Sequence, residues 1–486
     1  MRHAAVASSL LGFAAASLLV GCPDRSISEV TPLQGRVEAK DIPITVNRDV
    51  DLLFLIDDSP SMADKQANLA ANFSKFIDVL STIQGGLPNI HIAVVTSDMG
   101  THGANGMTAP GIGTLMQGGC SGTGKNGVMQ LFGAPVMGDP FISDLAQPDG
   151  SRQKNYDGKL VDVFATMAKA GAGGCGFEQH LEAMKHGLDP TTSGNVINKD
   201  FLREKAFLAV IFIADEDDCS MKDTAMLGNE SAALGPQQSF RCTRFGVLCD
   251  NGGATLDAMN KVGGKDQCHP NESSVYLTPI QGYVDFLKSL KKDDPGKIIV
   301  AGIMGTSTPF AVEMRAPRPQ DAPIPALAHS CQYIGADGKP EVADPPIRLK
   351  AFLDQFPNRS TFASICQNDL SGGLQQIGDL LKTVIGDPCI EGKLADTDPS
   401  TPDKLDYDCS VSSVTNPTAA NRTETILARC PEGGNGAATD PPCWHLLLDE
   451  ASCPNSDHYT LKIERQDTLP AETHVVANCV TEVTDN

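Results

Sequence analysis

Apolar positions fall into two repeating patterns along this chain. Short continuous runs at Val50 to Ile56, Ile90 to Val95, Phe207 to Ala214 and Ile298 to Ile303 predict strands buried on both faces. Thr361 to Cys366 reads as a shorter one. Between them the spacing is helical. Leu69, Phe73, Phe76, Ile77 and Leu80 repeat at one-turn intervals inside Met62–Leu80, and Phe177, Leu181, Met184 and Leu188 repeat in the same way. Leu160 to Lys169, Ile280 to Leu290, Ile347 to Phe356 and Leu370 to Ile385 continue the series, with Pro295-Gly296 stopping the helix before Ile298. Strands alternating with amphipathic helices predict an α/β fold: a doubly wound, mostly parallel sheet flanked by helices.

The two ends differ from this middle. Leu10 to Val20 is apolar, follows Arg2 and His3, and is too short for a stable membrane span. It ends in Leu19-Val20-Gly21-Cys22, which resembles a bacterial lipobox with Cys22 as the lipidated residue. Residues 1–22 are therefore expected to be a lipoprotein signal peptide, and polar residues 23–45 a tether. From residue 395 onward the chain holds five cysteines, Trp444, and alternating segments around Tyr459, Leu461 and Ile463 and around Val475, Val476 and Val480. Residues 395–486 read as a small Cys-rich β domain, entered through a polar linker at 395–403.

Composition narrows the function. The net charge is −22, which argues against a nucleic-acid partner, since phosphates demand a basic face. Fifteen cysteines occur with no Cys-x-x-Cys pair, so disulfides in an oxidising compartment are expected rather than a zinc framework. Setting Cys22 aside leaves an even number. Gly119 to Asn126 approaches a phosphate-binding loop, but it ends in Asn where Ser or Thr is needed and follows no buried strand. No metalloprotease helix motif and no nucleophile elbow occurs, so an enzyme is not expected.

The informative motif is Asp57-Asp58-Ser59-Pro60-Ser61, between the first strand and the first helix. Ligands of open parallel sheets gather at the carboxyl ends of the strands. One carboxylate and two hydroxyls there make an oxygen-only site of the kind Mg²⁺ prefers. Ser59 and Ser61 are also ordinary helix-capping residues, so the motif alone is weak. Asp215 closes the third strand at the same edge and heads the run Asp215-Glu216-Asp217-Asp218.

Together these features resemble the von Willebrand factor A family, over roughly residues 46–394. The resemblance implies a metal-ion-dependent adhesion site formed by Asp57, Ser59, Ser61 and Asp215. It also implies Mg²⁺, with Mn²⁺ or Ca²⁺ as alternatives, and a protein partner engaged through an acidic side chain. The family's threonine position aligns with Cys175, a poor ligand for a hard cation. Glu178, Glu216, Asp217 and Asp218 are then additional candidate ligands. Three long segments, 99–151, 219–278 and 305–346, leave the carboxyl edge and are expected to be disulfide-stapled insertions around the site. The expectation is a membrane-anchored lipoprotein of the bacterial cell envelope that binds protein. The alternative is a metal-free structural or assembly module that uses the fold and the inserted loops.

Overall fold

The structure is a computed structural model. It describes residues 37–44 and 48–482, apart from 84–85, 148–150, 293–294, 386–389, 391–392, 398–399, 401–404, 416–421, 432–441, 449–456 and 465–472. The leader, Cys22 and residues 23–36 lie outside the described residues, as does part of the 395–403 linker.

A seven-stranded sheet organises the larger part of the chain. Its strands are β1 (Asp49–Ile56), β2 (Asn89–Thr96), β3 (Ile142–Ala146), β4 (Arg152–Lys154), β5 (Phe207–Ile213), β6 (Ile298–Met304) and β7 (Ser360–Ser364). The spatial order is β7-β6-β5-β1-β2-β3-β4. The first five of that order pair in parallel, and β3 and β4 add an antiparallel edge. The sheet is therefore mostly parallel as the pattern predicts, while β3 of the antiparallel edge lies inside the 99–151 segment read as an insertion and β4 directly follows it. Asp144 explains why that edge was hard to see. It is a buried acid in a short strand, held by Arg152 Nε at 2.5 Å and by the Tyr156 hydroxyl at 2.5 Å.

Six helices cover the two faces: α1 (Ala63–Ser81), α2 (Leu160–Met167), α3 (His180–Leu188), α4 (Ile280–Ser289), α5 (Ile347–Leu353) and α6 (Ser371–Ile385). Side chains of a strand alternate between faces. Val50, Leu52, Phe54 and Ile56 point to the layer containing Phe73 and Phe76 of α1, Phe164 of α2 and Leu374 and Leu381 of α6. Leu53 and Leu55 point to the opposite layer, with Leu181 of α3, Val284 of α4 and Phe352 of α5. The Phe54 ring meets Phe73 and Phe76 edge-on, each at 5.9 Å between centroids, in the geometry aromatic quadrupoles favour. Full burial of β1 is thus the consequence of helices on both sides.

The expected insertions carry structure of their own. Strands Val247–Asn251 and Gly263–Pro270 come from the second, and Phe310–Arg315 and Ile324–Leu327 from the third. They combine into one four-stranded antiparallel sheet. The third insertion also forms a hairpin, Cys331–Ile334 with Pro340–Ala343. Disulfides Cys120–Cys175, Cys219–Cys242, Cys249–Cys268 and Cys331–Cys366 fasten these segments.

A separate six-stranded sheet holds the C-terminal strands Cys409–Thr415, Thr423–Arg429, Cys443–Leu448, Tyr459–Glu464 and Thr473–Glu482. Disulfides Cys409–Cys479 and Cys430–Cys443 staple it around Trp444 and Leu461. Its sixth strand is Val37–Ile44, paired antiparallel with Thr473–Glu482. The segment expected to be only a tether thus contributes a strand at 37–44. Glu38, Lys40 and Asp41 interrupt the apolar alternation there, which leaves the strand signal weak in the sequence. Among the described residues no helix is long and apolar enough to cross a membrane.

Candidate metal centre

The turn after β1 brings the motif residues together at the carboxyl edge. The Asp57 amide extends the sheet by donating to the Ile213 carbonyl of β5 at 2.9 Å, which fixes the start of the turn beside Asp215. Asp57 Oδ1 accepts the Ser59 amide at 2.7 Å and the Ser97 hydroxyl, from the end of β2, at 3.2 Å. Gln66 of α1 clamps the Asp57 carbonyl at 2.8 Å and exchanges two further bonds with the Gly171 backbone. Ser59 occupies the N-cap position of a short 3₁₀ turn, Pro60–Met62, that leads into α1, yet its hydroxyl caps nothing. That hydroxyl lies 3.0 Å from the Ser61 hydroxyl, and Ser61 in turn hydrogen-bonds Asp215. Asp57, Ser59, Ser61 and Asp215 therefore form one connected group.

This group has spare oxygen acceptors. Asp57 is fully buried and Asp215 is 2% exposed, yet Asp57 Oδ2 and Asp215 Oδ1 have no hydrogen-bond partner. Burying a carboxylate oxygen unpaired costs free energy, which neutralisation or a cation removes. Burial pushes Asp57 well above the usual carboxylate range, and the Asp215 and Glu216 charges push it further. Asp215 is raised by burial against the opposing pull of Lys65. Two carboxylates with two hydroxyls are a hard donor set that fits Mg²⁺ or another oxygen-seeking divalent ion. Among the described residues no three His, Cys, Asp or Glu side chains enclose an ion by themselves, so the hydroxyls are essential to that fit.

The additional candidates divide. Glu178 is 2% exposed with Oε1 unpaired, and its carboxyl hydrogen-bonds that of Glu216. Burial raises both, Glu216 to about 7. The run Asp217-Asp218 has other partners. Asp217 accepts the backbone amides of Arg348 and Leu349, each at 3.0 Å, at the start of α5. Asp218 Oδ2 takes the buried Arg348 guanidinium at 3.0 Å, and Asp218 Oδ1 takes the Leu181 amide at 2.9 Å. Their oxygens hold helices in place and are not turned to an ion. Cys175, at the threonine position, is bonded to Cys120, so it offers no thiolate.

Four site residues escaped the sequence reading: Gln66, described above, and Lys65, His180 and Ser97. Lys65, 1% exposed, places its ammonium 3.1 Å from Asp215 Oδ2, 3.1 Å from Glu341 Oε2 and 3.0 Å from the Ser61 carbonyl. A lysine on the same stripe as Leu69, Phe73 and Phe76 was the available signal. His180 is fully buried with Nε2 3.8 Å from Asp57 Oδ2, and burial lowers it to about 4, so the ring is neutral at pH 7. Ser97 has no pattern to mark it. Lys125, from the glycine-rich run that approaches a phosphate loop, pairs with the buried Asp58. Burial still raises Asp58 to about 6. Gly174 lies so close that a Cβ there would stand 2.4 Å from Asp58 Oδ1, which accounts for a glycine at that place.

No protein-family profile matches the chain, and no curated protein matches it. Among solved structures it is similar to the conserved hypothetical protein BatB from Bacteroides thetaiotaomicron, at 10% identity and a TM-score of 0.25, covering 69% of this chain and 98% of that one. It is also similar to the pilus adhesin RrgA from Streptococcus pneumoniae, at 11% identity and a TM-score of 0.26, covering 94% of this chain and 60% of the adhesin. The chain is a mixed α/β protein with a large, mostly parallel sheet, disulfide-stapled loop segments and a C-terminal β-rich unit.

Proposed function

We propose that this chain is a binding protein of the bacterial cell envelope, exported and anchored through lipid on Cys22. In this reading its α/β domain is of the von Willebrand factor A type and acts without catalysis. Asp57, Ser59, Ser61 and Asp215 would hold a divalent cation, while the threonine position is taken by the disulfide-bonded Cys175, which would supply no ligand. The bound ion would supply a Lewis-acidic point for an acidic side chain of a protein partner. The chain's own residues orient the donors: Gln66 and Ser97 fix Asp57, and the Ser59–Ser61 contact aligns the hydroxyls. The observation that carries the reading is the pair of buried, unpartnered oxygens, Asp57 Oδ2 and Asp215 Oδ1, beside two hydroxyls.

Calorimetric titration of the oxidised protein with Mg²⁺, Mn²⁺ and Ca²⁺ tests this. Saturable binding is expected, abolished in Asp57→Ala/Ser59→Ala. Absence of binding by folded, oxidised protein refutes it. A second reading, a metal-free assembly module, is favoured by the Lys65 ammonium on Asp215 and by the Cys120–Cys175 bond. A null titration selects that reading.

A further inference from the structure

Beside the candidate metal centre, the second and third insertions enclose a cavity of about 230 Å³. That is smaller than the roughly 300–1,000 Å³ of pockets that take drug-sized molecules, and suits a single long side chain. Glu178 and Glu216 lie at its acidic end, and Phe240, Ile324, Pro325 and Leu327 form its apolar wall. The basic groups that line it are already engaged within the protein. Arg315 Nε is 2.8 Å from Glu313 Oε1, and His329 Nδ1 is 2.6 Å from Asp344 Oδ1. Asp217, also on the lining, is held by the amides of α5. Glu178 differs, being 98% buried with Oε1 unpartnered and, among the described residues, reached by no ion pair.

From this arrangement we propose that the cavity receives the side chain of an arginine or lysine from a protein partner. The methylene stem of such a residue covers apolar wall while its head group remains charged. A guanidinium presents a planar fork of donors to carboxylates and stacks on an aromatic face, so Arg suits Glu178, Glu216 and Phe240 better than Lys. The chain's net charge of −22 favours encounter with a basic partner. The proposal does not depend on a metal at Asp57 and Asp215.

The test is calorimetry on the full oxidised chain with the peptide acetyl-Gly-Arg-Gly-amide and its citrulline counterpart, an uncharged near-isostere. EDTA is present throughout, so the outcome is independent of the metal titration above. The Arg peptide is expected to bind at least tenfold more tightly than the citrulline peptide, with the Lys peptide between them. Glu178→Gln, which keeps shape but cannot ionise against a bound guanidinium, is expected to weaken the Arg peptide tenfold or more. Ala326→Trp, which fills the cavity from its rim and leaves the carboxyls alone, is expected to do the same and serves if Glu178→Gln fails to fold. The proposal is overturned by no binding, by equal binding of Arg and citrulline peptides, or by undiminished binding in a folded variant of either kind.

Discussion

Lys65→Met separates the two readings of the metal centre most sharply. The substitution keeps an unbranched side chain of similar length and deletes the ammonium. In the native chain that ammonium contacts Asp215 Oδ2 and Glu341 Oε2, both at 3.1 Å. At an effective dielectric constant of 20, one such contact has a Coulomb energy of about 5 kcal/mol, an upper bound. Removing one partner of a buried pair costs about 3–5 kcal/mol, because the remaining charge stays buried and unpaired. Glu341 is 22% exposed and water relieves part of its share, so the main cost falls on Asp215, at 2%. Thermal unfolding followed by circular dichroism, in EDTA and in excess Mg²⁺, measures the effect. In EDTA the variant is expected to be destabilised by about 3 kcal/mol or more. In Mg²⁺ it should recover most of that loss, since a ligand at 100 times its Kd adds about 2.7 kcal/mol, and it should gain more than the native protein does. The double variant Lys65→Met/Asp215→Asn removes both charges. It should be more stable in EDTA than Lys65→Met alone and lose the response to Mg²⁺. An unchanged stability in EDTA would refute the energetic reasoning. Equal Mg²⁺ responses of Lys65→Met and the native protein would refute the idea that lysine and metal compete for Asp215.

Two further outcomes are expected. Burial raises Asp51 to about 6 and lowers the adjacent His91 to about 4. The folded protein therefore holds an extra proton on Asp51 and lacks one on His91. The Asp51 contribution is lost as pH rises from about 4 to 6, whereas the His91 contribution is lost as pH falls from about 6.5 to 4, each on the order of 3 kcal/mol. These slopes oppose, and Asp51→Asn should unmask a stability that rises from pH 4 to 6.5 relative to native protein. Parallel pH profiles of native and variant in urea unfolding would contradict this. Replacing Cys331 and Cys366 by serine opens a link across 35 residues between the third insertion and the end of β7. Chain entropy assigns that link about 4 kcal/mol, and the hairpin that carries Glu341 to Lys65 loses its tie. Proteolysis should then cut first within residues 305–346, and an unaltered cleavage pattern would show that packing alone holds the hairpin.

The main sheet was legible because its central strands have helices on both faces. Such strands are apolar at every position but one or two, so β1, β2, β5 and β6 appear as runs, with ends within about one residue of those observed. The amphipathic helices were legible for the complementary reason, since each has one covered face. Strands β3 and β4, the four-stranded sheet of the insertions and strand Val37–Ile44 were not legible. Their segments carry polar residues or prolines in place of a continuous apolar run, and some of their pairings join positions far apart in sequence: Val312 pairs with Gly263, and Val37 with Glu482.

The candidate site divides along the same line. Asp57, Ser59 and Ser61 lie within five residues of contiguous chain, and Asp215 follows a strand that adjoins β1, so pattern and topology sufficed to bring them together. The sequence alone determined the layers, the sheet edge at which the acidic motif residues gather and the hard-donor chemistry of those residues. Tertiary structure decided which acids remain unpartnered. Asp217 and Asp218 are indistinguishable in the sequence from Asp215 and Glu216, but the amides of α5 and the Arg348 guanidinium reach only the former pair. It also placed Lys65 on Asp215 and enclosed Glu178 in a cavity between two insertions. Composition can state how many charges a chain carries. Which of them are solvated, paired or left waiting for a partner depends on contacts between residues a hundred or more positions apart, and only folding sets those distances.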